Sequence, residues 1–301
     1  MVSGVVNVFK EEGYTSQDAV AVVKKIFGGV KAGHTGTLDP MARGVLPVCV
    51  GYATKVADHL QAGEKTYEAV MRLGVVTDTE DITGNILRTA DAIPGEDEIK
   101  KILESFTGVY MQTPPMYSAV SVDGKRLYKL ARAGVTVARP AREVTLYELR
   151  IISYEPPDVK FFARCSKGTY IRTLTADIGE RLGCGACMAA LTRTRSGIFE
   201  AVSAVTLREL KEADNPERFV MPVEDALPYK RIAVTPETDR RLINGNGIRV
   251  ENLRGAYRPK NCERVFMYDS GGVLRGIYRY DGEGAYLKPA VMFAEGRDGL
   301  G

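Results

Sequence analysis

Between residues 33 and 48 the chain reads GHTGTLDPMARGVLPV, which crowds glycines at 33, 36 and 44 and prolines at 40 and 47 around one aspartate, Asp39. Glycine loses more conformational freedom on ordering than any other residue, so a fold that fixes this run gives up stability to do so. Pro40 disfavours the α region at Asp39 and pushes it toward extended backbone. The flanking glycines permit sharp turns or the close approach of another chain. Asp39 is thereby presented on a loop. An isolated Asp-Pro turn caps nearby amides with its carboxylate, and that is the simplest role for the residue taken alone. No G-x-x-x-x-G-K-[ST] pattern is present and the run's only cation is Arg43, which argues against a nucleotide-phosphate loop.

Around this run, helical and strand patterns alternate. Ser16 is the expected N-cap of a helix over 17–27, with Val20, Val23 and Phe27 at helical spacing and Gly28 and Gly29 as its stop. Residues 53–61 read as a short helix. Residues 66–75 read as a strand with Tyr67, Ala69, Met71 and Leu73 on one face. The turn-rich TDTEDITGN follows, then a helix over 96–108, neighbouring strands over 142–155 and 158–166, and a helix over 170–183. This order implies an α+β domain with a mixed, largely antiparallel sheet flanked by helices. From residue 231 onward, short apolar runs are punctuated by Asn-Gly, Ser-Gly-Gly and Asp-Gly, the pattern of a small, separate β-rich module. A length of 301 residues suits two domains, placed at 1–229 and 230–301.

Charge is informative in its distribution. The total of 41 basic and 38 acidic residues leaves only +3, but residues 124–142 carry Lys125, Arg126, Lys129, Arg132, Arg139 and Arg142 with no acid among them. Exposed helices ordinarily interleave both signs to form i,i+4 pairs, so a polyanion is the natural partner for this run. No apolar run reaches the length of a membrane span and no leader pattern opens the chain, so the expected location is the cytoplasm. Five cysteines, Cys49, Cys165, Cys184, Cys187 and Cys262, are an odd and scattered set, read as reduced thiols. Cys184-x-x-Cys187 lacks the further ligands that zinc needs, and buried thiols are the expectation. With only His34 and His59 in the chain, metal ligation is not expected.

The run GHTGTLDPMARGVLPVCVGYATK resembles the signature of the bacterial tRNA pseudouridine-55 synthases, a family shared with the guide-RNA-dependent synthases of archaea and eukaryotes. The likeness extends to KTYEAVMRLGVVTDTEDITG at 65–84, PPMYSAVSVDGKRLYKLAR at 114–132, GTYIRTLTADIGERLG at 168–183 and LTRTRSG at 191–197. It implies a pseudouridine-synthase catalytic domain with a basic, thumb-like insertion at about 118–145. The C-terminal tail looks like the family's small β-barrel, a PUA-like RNA-binding module.

By this resemblance Asp39 is the nucleophile that isomerises a flipped-out uridine: the N1–C1′ bond breaks, the base turns and C5 rejoins the ribose. A carboxylate suits such a step because it can form and release a covalent adduct. Attack at C1′, attack at C6 and a glycal route all remain open. The resemblance pairs Arg172 with Asp39, stacks Tyr67 on the target base within reach of proton transfer, and closes the base pocket with Leu191. It gives His34 the space vacated by the extruded nucleotide, which would offset part of the unstacking cost. Asp81, Lys55 and Tyr170 are secondary site residues, Lys10 is a further RNA-side candidate, and Lys125, Arg126, Lys129 and Arg132 would grip phosphates. No cofactor is implied. The expected partner is the T-arm of tRNA, without guide RNA or obligatory protein partner, and the expected state is a monomer. Two alternatives stand beside this reading: an RNA-binding or tRNA-folding protein whose catalysis is dispensable, and a guide-dependent synthase. The sequence also departs from the family pattern where Glu11 follows Lys10 in place of the usual proline, which bears on the backbone support of the site.

Overall fold

Period-2 apolar runs set the strands. In the computed structural model, which describes residues 2–118, 121–122 and 124–293, β1 spans Gly4–Lys10 and α1 spans Ser16–Ile26. The N-cap of α1 is Thr15 rather than the expected Ser16. Thr15 accepts the Asp18 backbone N–H, and the Asp18 carboxylate takes the Thr15 N–H in return, a reciprocal capping box. Two glycines with positive φ, Gly28 and Gly29, follow the helix and turn the chain away.

The next strand, β2, spans Arg43–Val50 and begins in the second half of the glycine- and proline-rich run. Pro47 lacks an N–H, but its carbonyl accepts from Thr35 N at 3.0 Å. Then come β3 (Lys65–Leu73), α2 (Glu96–Ser105), β4 (Gly108–Gln112), β5 (Arg142–Glu155), β6 (Asp158–Cys165), α3 (Ile171–Arg181), β7 (Ala186–Ser196) and β8 (Val205–Thr206). Among the described residues these strands run in the order β8-β1-β2-β7-β3-β6-β5-β4, with three short strands pairing off this path. All the neighbours on the path are antiparallel except β1 with β8 and β2 with β7. The α+β class and the mixed, largely antiparallel sheet are as expected.

Alternation along β1 and β2 divides the interior. Val6, Val8, Leu46, Val48 and Val50 face the helix-covered side, where they join Met71, Phe161, Ile99, Leu174 and Ile178. Val5, Val45 and Cys49 face the other way. There they meet Phe293 and also Phe266 and Ile277 of a second sheet, built from β9 (Lys230–Ala233), β10 (Ile248–Arg249), β11 (Arg264–Tyr268), β12 (Leu274–Asp281) and β13 (Tyr286–Met292). This sheet runs β9-β11-β12-β13-β10 and curls into a half-barrel. It has an apolar cluster of its own, around Val234, Val265, Met267, Tyr278 and Leu287. The module expected to be separate therefore also shares a core with the main sheet, because strands apolar on both faces need cover on both sides.

The insertion forms a short ribbon, Ser121–Val122 against Lys125–Arg126, and a helix, Leu127–Arg132, before rejoining the sheet at β5. The side chains of Lys125, Arg126, Lys129 and Arg132 lie outside the described residues. Among the described residues no helix is long and apolar enough to cross a membrane.

One glycine in the opening run holds the sheet closed. Gly44 has φ 112° and pairs with Arg193 across the parallel β2–β7 contact. A Cβ at Gly44 would sit 2.2 Å from the Arg193 carbonyl oxygen and 2.8 Å from its nitrogen. Gly44→Ala is expected to lower unfolding free energy by at least about 2 kcal/mol, read from the urea midpoint. Gly33→Ala, whose Cβ would meet nothing within 4 Å, should stay within about 0.5 kcal/mol of wild type. Equal midpoints for the two variants would contradict the assignment.

Candidate active site

The loop bearing Asp39 is fixed through its backbone from two directions. From the N-terminal side, Ser16 Oγ donates to Leu38 O at 3.0 Å and accepts from Leu38 N at 2.8 Å. Gly13 N donates to Pro40 O at 2.9 Å. Lys10 is fully buried, and its Nζ donates to Tyr14 O (2.7 Å), Glu11 O (2.9 Å) and Pro40 O (3.4 Å). From the sheet side, Arg193 donates to Val45 O (2.7 Å), Gly36 O (3.0 Å) and Thr37 O (3.3 Å). Every residue from Gly36 to Pro40 except Asp39 thus has its carbonyl held from outside the loop, and the Asp39 carbonyl accepts from Ala42 N at 3.0 Å. The conformational freedom of the glycine-rich run is removed by these contacts.

Helix α3 supplies the counter-charge. Its N-cap residue, Tyr170, is extended at φ −98° and ψ 108°. The side-chain amide of Gln112 on β4 satisfies both Tyr170 backbone groups, accepting from N at 2.8 Å and donating to O at 2.9 Å. The first helical turn then brings Arg172 to Asp39. Arg172 Nη2 donates to Asp39 Oδ1 at 3.2 Å, and Nε lies 2.8 Å from Oδ2, a charge contact off the N–H axis. The other guanidinium donors reach Thr79 O (3.0 Å) and Tyr117 O (2.9 Å), and Nη1 stands 3.5 Å from Asp81 Oδ2. Asp81 is itself buried and held by Thr79 Oγ1, Thr83 N and Thr83 Oγ1. The Arg172 side chain is 5% exposed, whereas Asp39 keeps 32% of its side-chain surface accessible.

The floor of the site comes from cross-strand neighbours. Tyr67 on β3 lies opposite Arg193 on β7, and Leu191 lies opposite Ala69. Both Tyr67 and Leu191 are buried. Burial pushes the pKa of the Tyr67 hydroxyl up to about 12, against the opposing charge of Arg193 nearby. Burial also raises the Asp39 carboxyl above its ordinary range, while Arg172 pulls it back and Asp81 adds to the rise. His34, on the strand Ala32–His34, accepts from Gly36 N at 3.3 Å, and burial with the nearby Arg193 charge lowers its pKa. The arrangement offers a partly open carboxylate held by a guanidinium beside a protonated phenol. Such a set can attack an electrophilic carbon and give or take a proton.

The structure thus gathers Asp39, Arg172, Asp81, Tyr67, His34, Leu191 and Tyr170 around one loop. Lys10 is brought to the same loop, but buried and committed to carbonyls, with burial lowering its pKa to about 8. It clasps the loop and presents no outward charge. Glu11, where the family carries proline, contributes one of the accepting carbonyls. Lys55 is not part of the cluster. It follows β2 while Asp39 precedes it, so the eight residues of that strand, at about 3.3 Å each, separate them. Its Nζ donates to Met292 O on the second sheet. Sequence reasoning missed Arg193, Gln112 and Ser16. The cue for Arg193 lay in the LTRTRSG motif, where alternation puts it on the same face as Leu191. Cys184 and Cys187 are free buried thiols. No cluster of three metal-ligating side chains occurs among the described residues.

Comparison with known proteins agrees with this geometry. Residues 24–171 match the family described as TruB family pseudouridylate synthase (N terminal domain), and residues 172–228 match the tRNA pseudouridylate synthase B C-terminal domain. The chain is 47% identical to the tRNA pseudouridine synthase B of Alkaliphilus oremlandii, over 82% of this chain and 83% of that one. It is 41% identical to the protein of that name from Clostridium perfringens, over 96% and 99%. Among solved structures, a chain of an H/ACA ribonucleoprotein bound to a substrate RNA containing 2′-deoxyuridine superimposes with a TM-score of 0.72 at 26% identity, covering 98% of this chain and 86% of that one. A chain of a Cbf5-Nop10-Gar1 complex gives 0.70 at 29% identity, covering 92% and 78%. With the Asp39 loop, its buried arginine and the two-sheet architecture in place, the chain belongs to the TruB family of pseudouridylate synthases.

Proposed function

We propose that this protein is a tRNA pseudouridine synthase, an isomerase that converts the T-loop uridine at position 55 to pseudouridine with Asp39 as nucleophile on a flipped-out base. The observation that carries the reading is the Arg172–Asp39 pair: a carboxylate ionised and oriented by a buried guanidinium, yet partly open to a substrate. Tyr67 stacks on the base and Leu191 closes the pocket, while His34 occupies the gap left in the RNA. Arg172 also binds the Tyr117 carbonyl, at the root of the thumb-like insertion of about 118–145, so a substrate gripped there is mechanically close to Asp39. Residues 1–229 form the catalytic domain and 230–301 the PUA-like module. Between 230 and 293 there are twelve Lys and Arg against seven Asp and Glu, which supports a second electropositive contact with RNA. The protein works as a cytoplasmic monomer on the T-arm, without cofactor, guide RNA or obligatory partner.

Asp39→Asn keeps size and removes the attacking charge. Incubated with an unmodified tRNA transcript and no guide, the wild type should form pseudouridine, and Asp39→Asn should form none at detectable rate while still binding tRNA. Substantial turnover by the variant would contradict the nucleophile. A wild type active only with added guide RNA would favour the guide-dependent class to which the structural relatives point.

Docking by the insertion is tested through salt. Neutralising Lys125, Arg126, Lys129 and Arg132 together should weaken tRNA binding and make its salt dependence shallower. The slope falls by about 0.7 to 0.9 for each lost phosphate contact, so even two or three are resolvable. A folded quadruple variant with wild-type affinity across the salt series would contradict the docking role and leave Asp39 untouched.

A further inference from the structure

A second buried guanidinium lies in the site, apart from the pair with Asp39. Arg193 is 2% exposed and ranks among the largest fully buried side chains of the described residues. Its hydrogen-bond partners are neutral oxygens, the carbonyls of Gly36, Thr37 and Val45. None of these is a carboxylate. Burying a cation without a counter-charge is costly unless its hydrogen bonds are well made and its charge is useful where it stands.

The geometry shows where that is. Gly36 and Thr37 precede Asp39, Val45 follows it, and Tyr67 lies opposite on β3. The planar fork of one side chain thus spans both flanks of the Asp39 loop, while its backbone pairs opposite Tyr67. Lys10 and Lys65, the other buried cations of the region, make no such bridge: their ammonium groups hold the carbonyls of Glu11, Tyr14 and Pro40, and of Gln61 and Gly63.

We propose that Arg193 is a positioning residue of the reaction, which fixes the Asp39 loop relative to the strand that carries Tyr67 and so sets the separation of Tyr67 from Asp39. This deepens the reading given above and rests on it for its catalytic part. The role requires the guanidinium fork: a lysine keeps the charge but cannot reach oxygens on both sides of the loop together.

The test uses full-length Arg193→Lys and Arg193→Gln with an unmodified tRNA transcript, in single turnover. Both variants should lose about 100-fold in rate, the scale for misplacing reacting groups by an ångström, with tRNA affinity unchanged. In free protein carrying 13Cζ-tyrosine, the Tyr67 resonance, identified by its loss in Tyr67→Phe, should move in both variants. A purely structural arginine would lower the melting temperature and leave rate and resonance alone, and either a wild-type rate in Arg193→Lys or an unmoved Tyr67 resonance overturns the proposal. If the wild type itself forms no pseudouridine, the proposed function fails, and the resonance still decides whether Arg193 sets the state of Tyr67.

Discussion

The contact between Arg172 and Asp39 is the constraint on which the rest of the structure depends. A carboxylate drawn into a protein tends to take up a proton, and burial drives Asp39 in that direction. The guanidinium opposes it and sets the orientation of the two oxygens. Its remaining donors bind Thr79 O, Tyr117 O and the Asp81 carboxylate, so one side chain joins the Asp39 loop, the turn after β3 and the root of the insertion. Removing one partner of such a buried pair strands the other charge, at a cost of about 3–5 kcal/mol when both are fully enclosed.

Around that pair the chain replaces local order with tertiary order. The 33–48 run has too much glycine and proline to hold a loop by itself, and its backbone is held instead by Ser16, Gly13 and Lys10 on one side and Arg193 on the other. Gly44 permits the close approach of β7 that brings Arg193 into place. The permissive residues are where neighbours must come near, and the rigid contacts come from strands and helices that have their own apolar cores.

Much of this was legible in the sequence, and the exceptions share a cause. The alternation of Tyr67, Ala69, Met71 and Leu73 marked β3, and Gly28 and Gly29 marked the end of α1, because each signal is local. Family likeness gave Asp39, Arg172 and Tyr67 their roles, which spacing alone did not. Arg193 was hidden because its acceptors lie about 150 residues away in sequence, at Gly36, Thr37 and Val45. Gln112 meets Tyr170 across 58 residues. Lys10 was read as an RNA-side residue for want of any sign that Pro40 would pack on it. Lys55 was a site residue by family likeness, whereas its ammonium is spent on Met292 O of the second sheet. The shared core behind β1 and β2 was written in their apolarity on both faces, but what covers the second face is chosen by a segment more than 200 residues on.

The most direct test is the single-turnover rate of Arg172→Lys on unmodified tRNA, measured together with tRNA affinity. Lysine keeps a positive charge near Asp39 but cannot hold two carboxylate oxygens and two carbonyls at once. The account predicts a rate at least about 100-fold below wild type with affinity preserved. A variant that turns over at the wild-type rate would contradict it.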